Sequence, residues 1–283
     1  MNIHFEKDPE KYLKLVESLL LEKEACNNLM LGILSRIVAG HSLYEGALLG
    51  YVEKNGVAIF PFMQTPPNNW IFPDLEVTSE DVTKEVAAFL WDKQIEVPGI
   101  LGPDFLVKPF VEEWEKWNKV TSTIHMKQLI YQLDKVNPIP STAGELVVAD
   151  NKYHQLITEW LLQFGQEANE VISREDADHL AIQFLNDRST FLWLVDGKPV
   201  SMVNRSRKTK NGATVNAVYT PDNYKRRGYA TSSVAALTSK LLSEGAQFCS
   251  LYTDADYPTS NRVYKKIGYY EVGTSVVYEF TKK

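Results

Sequence analysis

Apolar and polar positions along the 283-residue chain follow two periods, and the second half gives the clearer pattern. Alternating β-rich runs predict strands, and apolar residues repeated every three or four positions predict helices. From residue 145 onward the order is β-α-α-β-β-β-α-β-α-β-β. The predicted elements lie at about residues 145–149, 150–164, 173–186, 190–195, 198–204, 213–219, 227–244, 248–253, 260–267, 269–273 and 275–280.

Turn and capping residues support several of these boundaries. The pair Asp196-Gly197 separates two β-rich runs and favours a two-residue hairpin turn. Ser173 and Asp176 form a capping pattern at the start of a helix, and either Asp150 or Asn151 caps the helix before it. These local signals make the hairpin and the two helix starts the firmest features of the second half.

The first half repeats the same order of elements without obvious residue identity, which indicates an internal duplication. Its predicted elements lie at about residues 3–5, 10–23, 27–38, 47–52, 57–60, 69–72, 79–91, 99–101, 104–117 and 125–132. We therefore predict one domain over residues 1–135 and another over residues 145–283. Residues 134–144, which contain two prolines and no apolar period, are the expected linker.

A basic turn between a predicted strand and a predicted helix is the strongest chemical signal. It reads Lys225-Arg226-Arg227-Gly228-Tyr229-Ala230. Glycine lets the backbone approach an anion, and the amides at a helix start point outward with the positive end of the helix dipole behind them. The turn therefore predicts a phosphate site. A solvated turn is the alternative, because the residue spacing alone is common.

The corresponding segment of the first half, residues 73–81, is acidic. Negative charge there would repel a pyrophosphate. The first half is therefore not expected to bind the same ligand.

Composition restricts the class of protein. A hydrophobic content of 44%, a charged content of 23% and a mean hydropathy of −0.24 are typical of soluble globular proteins. No apolar run approaches the ~20 residues that cross a bilayer, and the first residues lack signal-peptide character, so we expect a cytoplasmic protein without a membrane partner. A net charge of −6 and a pI near 5.5 argue against nucleic acid as a partner.

The metal-binding and thiol residues are sparse. Cys26 and Cys249 lie in apolar surroundings and are expected to be reduced core thiols. The five histidines are scattered, and His154 and His179 lack ligand partners at helical spacing. No metal cofactor is therefore predicted.

The second half, about residues 145–283, resembles the GNAT superfamily of acetyl-CoA-dependent N-acetyltransferases. The family turn has Gln or Arg, two residues, Gly, one residue, and then Gly or Ala. Lys225, Gly228 and Ala230 meet this pattern, with Lys225 a mild departure that keeps the positive charge. A second family feature, an Asn and a Tyr on the last helix followed by Gly and an aromatic residue, is matched by Asn261, Tyr264, Gly268 and Tyr269.

The resemblance implies a fold and a cofactor site. The fold class is α/β (α+β), with two tandem GNAT-like domains that each carry a mixed, mostly antiparallel twisted sheet flanked by helices. The first domain would be degenerate and lack the CoA-binding turn. In the second, two strands would splay apart to admit the pantetheine arm of acetyl-CoA. The implied cofactor-binding residues are Ala217, Val218, Tyr219, Lys225, Arg226, Arg227, Gly228, Tyr229, Ala230, Thr231, Asn261 and Tyr264.

The resemblance also implies catalytic roles. Tyr264 would protonate the departing CoA thiolate, and a packing tyrosine is the alternative reading of that residue. Many family members carry a Glu on the third strand, but Asn216 stands near that place and cannot accept a proton as a carboxylate does. Glu167 and Glu170, in the turn between two helices, are the nearest candidate bases, and exposed loop acids are the alternative for both.

Three functions are compatible with these residues. The chain could transfer acetyl from acetyl-CoA to a primary amine by direct attack, bind CoA without catalysis, or serve as an interaction protein. The expected acceptor is a small-molecule or peptide amine, and the chain is expected to be a monomer or a homodimer.

Overall fold

The computed structural model describes residues 1–40, 44, 46–76, 79–140, 142–168 and 170–283. These residues form two compact units, one made of Met1–Ile130 with Val272–Lys283 and the other of Tyr131–Glu271. The predicted ranges 1–135 and 145–283 instead group the terminal strand with the second half, and they stay a prediction. Val77 and Thr78 of the acidic segment and Ser141 of the predicted linker lie outside the described residues.

The first unit has a sheet in the strand order β1-β2-β3-β4-β5-β12. Neighbouring strands are antiparallel except β4 and β5, which are parallel. The elements are β1 (Asn2–Glu6), α1 (Pro9–Glu22), α2 (Asn28–Val38), β2 (Leu48–Lys54), β3 (Val57–Gln64), β4 (Trp70–Ile71), α3 (Glu80–Asp92), β5 (Gly99–Gly102), α4 (Asp104–Trp117), β6 (Val120–Leu133, which continues into the second unit) and β12 (Tyr270–Lys282).

Two apolar clusters cover the two faces of this sheet. Successive side chains of a strand point to opposite faces, so Phe62 and Trp70 join a cluster with α3 and α4, whereas Met63 and Ile71 join a cluster with α1 and α2. The first unit therefore consists of a sheet between two pairs of helices.

The second unit has a sheet that includes the strand order β11-β10-β9-β8-β7. Its strands are antiparallel except β10 and β11, which are parallel. The elements are β7 (Glu145–Val148), α5 (His154–Glu167), α6 (Arg174–Asn186), β8 (Thr190–Val195), β9 (Lys198–Lys208), β10 (Gly212–Tyr219), α7 (Tyr229–Ser243), β11 (Phe248–Asp254) and α8 (Pro258–Ile267), with short 3-10 turns at Asn151–Tyr153 and Asp222–Tyr224.

Helices α5 and α6 cover one part of this second sheet. Their buried residues, among them Trp160 and Leu161, cluster with Leu192, Met202 and Tyr219 from three strands. Helix α7 contacts β8, β9, β10 and β11. Trp160 is therefore a core residue, and the packing places α5 beside the end of β10.

The local signals in the sequence are confirmed. Asp196-Gly197 forms a two-residue hairpin turn with φ angles of 49° and 73°, which matches the type I′ preference of such a pair. Ser173 caps α6 by accepting a hydrogen bond from the Asp176 amide at 3.1 Å. Asp150, rather than Asn151, accepts a bond from the Lys152 amide at 3.1 Å, but it caps the 3-10 turn that leads into α5, and α5 itself begins at His154 without a side-chain cap.

Two strands are longer than predicted. β6 covers Val120–Leu133 rather than residues 125–132, and β12 is one strand rather than two that break near Gly273. A Cβ at Gly273 would lie 2.7 Å from the Cys26 sulfur, so this glycine allows close approach within a continuous strand.

The described residues also give observations on the cysteines, on membrane-spanning helices and on metal-binding groups. Cys26 and Cys249 are buried free thiols, which confirms their prediction as core residues. Among the described helices, none has both the length and the apolar content that crossing a bilayer requires. The same part of the chain contains no group of three or more His, Cys, Asp or Glu side chains arranged to hold a metal ion.

A buried asparagine fastens the turn after β4 to the region after α1. The Asn27 side chain donates to the Asp74 carbonyl and accepts from the Asp74 amide, both at 2.8 Å, and it donates to the Leu20 carbonyl at 3.0 Å. Lys23 adds an ion pair with the Asp74 carboxylate at 2.8 Å. The backbone amide and carbonyl of Asp74 therefore both have partners within the unit.

We expect Asn27→Ala to lower the free energy of unfolding by roughly 2 to 4 kcal/mol, because buried backbone groups lose their partners. Urea unfolding followed by tryptophan fluorescence measures the effect. The exposed Asn151→Ala is the control and should change stability by less than about 0.5 kcal/mol. Equal losses in the two variants would contradict the role of this clamp.

Candidate functional site

The pairing between β10 and β11 stops partway along the two strands. Residues Gly212, Ala213 and Thr214 pair with Phe248, Cys249 and Ser250. Beyond this point, no further pairing joins the two strands in the described part of the chain. The strands therefore leave a gap along residues 215–219 of β10.

β10 is also irregular on its other side. Its register with β9 shifts between Thr214 and Val215 and again between Asn216 and Tyr219. Ala217, inside the second shift, has a left-handed φ of 46°. This bulge leaves Ala217 and Val218 outside the ladder with β9.

The predicted anion turn follows β10. Arg226 and Gly228 have left-handed φ angles of 63° and 83°, and α7 begins directly afterwards at Tyr229. A Cβ at Gly228 would add a contact of 3.0 Å to Thr142, so both the conformation and the space favour glycine.

Six consecutive amides of the turn, those of residues 226–231, make no hydrogen bond to any described residue. The next amide, that of Ser232, bonds the Gly228 carbonyl at 3.0 Å. Unpaired amides at the start of an α-helix, here one of 15 residues, are groups that can donate hydrogen bonds to an anion. The side chains of Arg226 and Arg227 are exposed and have no carboxylate partner among the described residues.

Lys225 and Glu167, predicted to bind phosphate and to act as a base, contact each other. The Lys225 Nζ lies 2.6 Å from Glu167 Oε1 and 2.7 Å from Asp222 Oδ1. Partial burial by itself lowers the pKa of Lys225, but hydrogen bonds to the two carboxylates outweigh that effect and raise this pKa above its ordinary value. Glu170 lies in the turn after α5, where its amide donates to the Gly165 carbonyl.

Tyr264 lies on α8, packed between two other tyrosines. Its ring centroid is 6.5 Å from that of Tyr131 and 6.1 Å from that of Tyr269. The residue is 8% exposed, and its hydroxyl has no hydrogen-bond partner among the described residues. Burial raises the pKa of Tyr264 to about 12, because the phenolate would lose its hydration.

Asn261 lies one turn before Tyr264 on α8, and only the nitrogen of its side-chain amide has hydrogen-bond partners among the described residues. Its Nδ2 donates to the carbonyls of Asp254 and Tyr257 at 3.1 Å, which ties α8 to the end of β11. Its Oδ1 is buried and has no partner in the described residues. A buried acceptor without a donor is costly in a protein, so this atom fits a hydrogen bond from a bound ligand.

Asn216 belongs to a polar network that the sequence pattern did not predict. Its Oδ1 accepts from Asn204 Nδ2 at 2.8 Å, and Asn204 Oδ1 accepts from Ser189 and Thr190 at 2.7 and 3.0 Å. The only sequence feature that indicates this network is the polar Asn204 at the end of an apolar strand. The Asn216 side chain is exposed and contains no group that takes up a proton at neutral pH.

A cavity of about 650 Å³ lies between α5, the end of β10 and the 3-10 turn that follows. Trp160 and Glu167 line it from α5, and Tyr219 lines it from β10. The Tyr219 hydroxyl donates to Gln163 Oε1 at 2.7 Å. Desolvation raises the pKa of Tyr219, with the Glu167 charge adding to the effect. The apolar pattern of α5 predicts Trp160 in the core and gives no sign of this opening.

Comparison with known proteins identifies the fold. Residues 192–278 match the family model described as FR47-like protein. No curated protein sequence matches the chain.

Solved structures match the chain along its whole length. An acetyltransferase of the GNAT family from Colwellia psychrerythraea has a TM-score of 0.67 at 10% identity, with 100% of both chains covered. A GCN5-related N-acetyltransferase from Sphaerobacter thermophilus has a TM-score of 0.65 at 12% identity, covering 98% of this chain and 94% of that one. A tandem GNAT protein from the clavulanic acid biosynthesis pathway has a TM-score of 0.58 at 14% identity, covering 99% and 98%.

Sequence identities this low establish that the chain shares the fold of these proteins. They do not establish that it shares their activity. The chain has the GNAT fold in a tandem arrangement, and the resemblance of its second half to GNAT proteins is confirmed.

We expect the buried phenol of Tyr264 to stay protonated in alkaline solution. In a spectrophotometric titration, wild type and Tyr264→Phe should give the same phenolate absorbance up to about pH 11, although free tyrosine titrates near pH ~10. A wild-type signal that exceeds that of the variant by about half a phenolate at about pH 10 would show that Tyr264 is in contact with water.

Proposed function

We propose that this protein is an N-acetyltransferase that moves the acetyl group of acetyl-CoA to the primary amine of a small-molecule or peptide acceptor by direct attack. The GNAT fold and the FR47-like match support acyl transfer from an acyl-CoA in general. The observation that carries the proposal is the row of six unpaired amides beside a sheet that opens between β10 and β11.

The residues of the second unit fit acetyl-CoA. The amides of residues 226–231 would hold the pyrophosphate, and Arg226 and Arg227 would add charge-assisted bonds. The backbone of Ala217, Val218 and Tyr219 would bond the pantetheine arm, since these residues lie on the part of β10 that does not pair with β11.

Asn261 gives a second, independent point of fit. Its buried Oδ1 lacks a donor within the described residues, and an amide N–H of the pantetheine arm would supply one. Because Nδ2 is held by two carbonyls, the orientation of Oδ1 is fixed before the ligand arrives.

Tyr264 supplies the acid in this reaction. Bound acetyl-CoA provides the thioester that the amine attacks, and the Tyr264 hydroxyl donates its proton to the departing thiolate. A pKa raised to about 12 keeps that proton in place at neutral pH. The free hydroxyl is not committed to another acceptor among the described residues.

The attacking amine gives its proton to water in this scheme. Asn216 contains no basic group and accepts a hydrogen bond from Asn204. The Glu167 carboxylate is engaged by Lys225 at 2.6 Å. Since neither residue is poised to take the proton, solvent along the exposed face of Asn216 is the simplest route.

Asn216 also favours a second candidate function. A protein without a carboxylate on this strand could bind CoA and catalyse nothing. Stabilisation by CoA in thermal unfolding, combined with no thiol release from acetyl-CoA across amines, amino acids, polyamines, aminoglycosides and peptides, would identify this case.

Replacing both arginines of the turn, Arg226→Gln with Arg227→Gln, should weaken CoA binding about tenfold or more, because two charge-assisted contacts are lost. Isothermal titration calorimetry at fixed salt measures the effect. The control is Lys208→Gln with Lys210→Gln, which removes the same charge at a distant hairpin. Equal affinities in the two double variants would refute the proposed pyrophosphate site.

Tyr264→Phe should lower kcat by about 10² to 10⁴ while the affinity for acetyl-CoA changes little, because only the acid is removed. The matched control is Tyr131→Phe, which removes another buried tyrosine hydroxyl without a partner, 6.5 Å away between ring centroids. Steady-state kinetics separates the two variants.

The raised pKa of Tyr264 also sets the pH dependence. The acid is lost only as pH rises through about 12, so wild-type kcat should not fall between pH 7 and pH 10 through this residue. If Tyr264→Phe leaves kcat unchanged, Tyr264 is a packing residue and not the acid.

A further inference from the structure

The same junction is fastened by an ion pair in both units, with the charges exchanged. In the first unit, Lys23 directly follows α1, and it pairs with Asp74 between β4 and α3 at 2.8 Å. In the second, Glu167 ends α5, and it pairs with Lys225 between β10 and α7 at 2.6 Å. Each pair joins the end of the first α-helix of its unit to the turn that enters the third.

In the first unit this ion pair forms at an acidic segment, residues 73–81, which is not expected to bind an anion. The Asp74 amide donates to Asn27 Oδ1 at 2.8 Å, so it is not available to a phosphate. The turn residue is itself an acid. An ion pair at this junction therefore has a fastening role that requires no ligand.

In the second unit Lys225 is held by both its backbone and its side chain. Its amide bonds the carbonyls of Pro221 and Asp222 at 3.1 and 3.2 Å, and its ammonium group bonds Glu167 and Asp222. The next residue, Arg226, is the first left-handed residue of the turn, with a φ of 63°. Lys225 thus fixes the point from which the unpaired amides extend.

The charges around Lys225 make it a poor phosphate ligand. One ammonium group and two carboxylates carry a net charge of −1, so an approaching pyrophosphate meets repulsion as well as attraction. Arg226 and Arg227 lack such carboxylate partners among the described residues.

We propose that Lys225 is a positioning residue, which together with Glu167 fastens the turn that presents the amides of residues 226–231 and does not itself contact the pyrophosphate of CoA. The inference rests on the proposed binding of acetyl-CoA and departs from the role of Lys225 in the sequence pattern. In this inference Glu167 holds Lys225 in place and does not act as the general base.

A charge exchange that copies the arrangement of the first unit tests this. Lys225→Glu and Glu167→Lys are made singly and together, and CoA affinity is measured by isothermal titration calorimetry, with circular dichroism to confirm folding. Each single variant should bind CoA about tenfold more weakly, because like charges then face each other across the junction. The double variant, which keeps the net charge and restores an ion pair, should return to within about threefold of wild type.

The outcomes separate the alternatives. If Lys225 contacts the pyrophosphate, the double variant will bind as weakly as Lys225→Glu, and the inference is overturned. A second readout is the salt dependence of CoA affinity. It should become shallower in Arg226→Gln and keep the wild-type slope in the double variant, whereas a shallower slope in the double variant speaks against the inference. Wild-type protein that fails to bind CoA would overturn the proposed function itself, together with this inference.

Discussion

The loss of strand pairing between β10 and β11 is the constraint on which the site depends. If the two parallel strands stayed paired along their whole length, the backbone N–H and C=O groups of β10 would be hydrogen-bonded within the sheet. After Thr214 and Ser250 the ladder ends, and the bulge at Ala217 releases further groups on the β9 side. Where the sheet opens, an extended ligand can form hydrogen bonds with the strand backbone. Binding of such a ligand therefore requires few side chains of a particular type.

Polar contacts at the end of β10 hold the opened strand in place. The Ser201 hydroxyl donates to the Tyr219 carbonyl at 3.0 Å and lies 2.8 Å from the Thr220 hydroxyl. Lys225 then attaches the following turn to α5 through Glu167. These contacts attach the end of β10 to β9 and the following turn to α5.

The two units show how one topology serves with and without this surface. Both have the same succession of strands and helices, and both fasten the first helix to the turn before the third. In the first unit, however, the turn contains the acidic Asp74, whose amide and carbonyl both bond the Asn27 side chain. In the second unit the amides of residues 226–231 have no partner among the described residues, and two arginines lie in the same turn, so the units differ in chemistry through a few residues of one turn.

Short-range signals in the amino-acid sequence predict the local elements and the chemistry of the turn. The hairpin at Asp196-Gly197, the Ser173 cap and the left-handed Gly228 follow from short-range backbone preferences, which neighbouring residues report directly. Tertiary structure alone decided that Glu167 and Lys225, 58 residues apart, would pair, that Tyr264 would be buried with a free hydroxyl, and that the terminal strand would join the first unit. Such contacts depend on how distant segments pack, and the periods of apolar residues carry no information about which distant side chains meet.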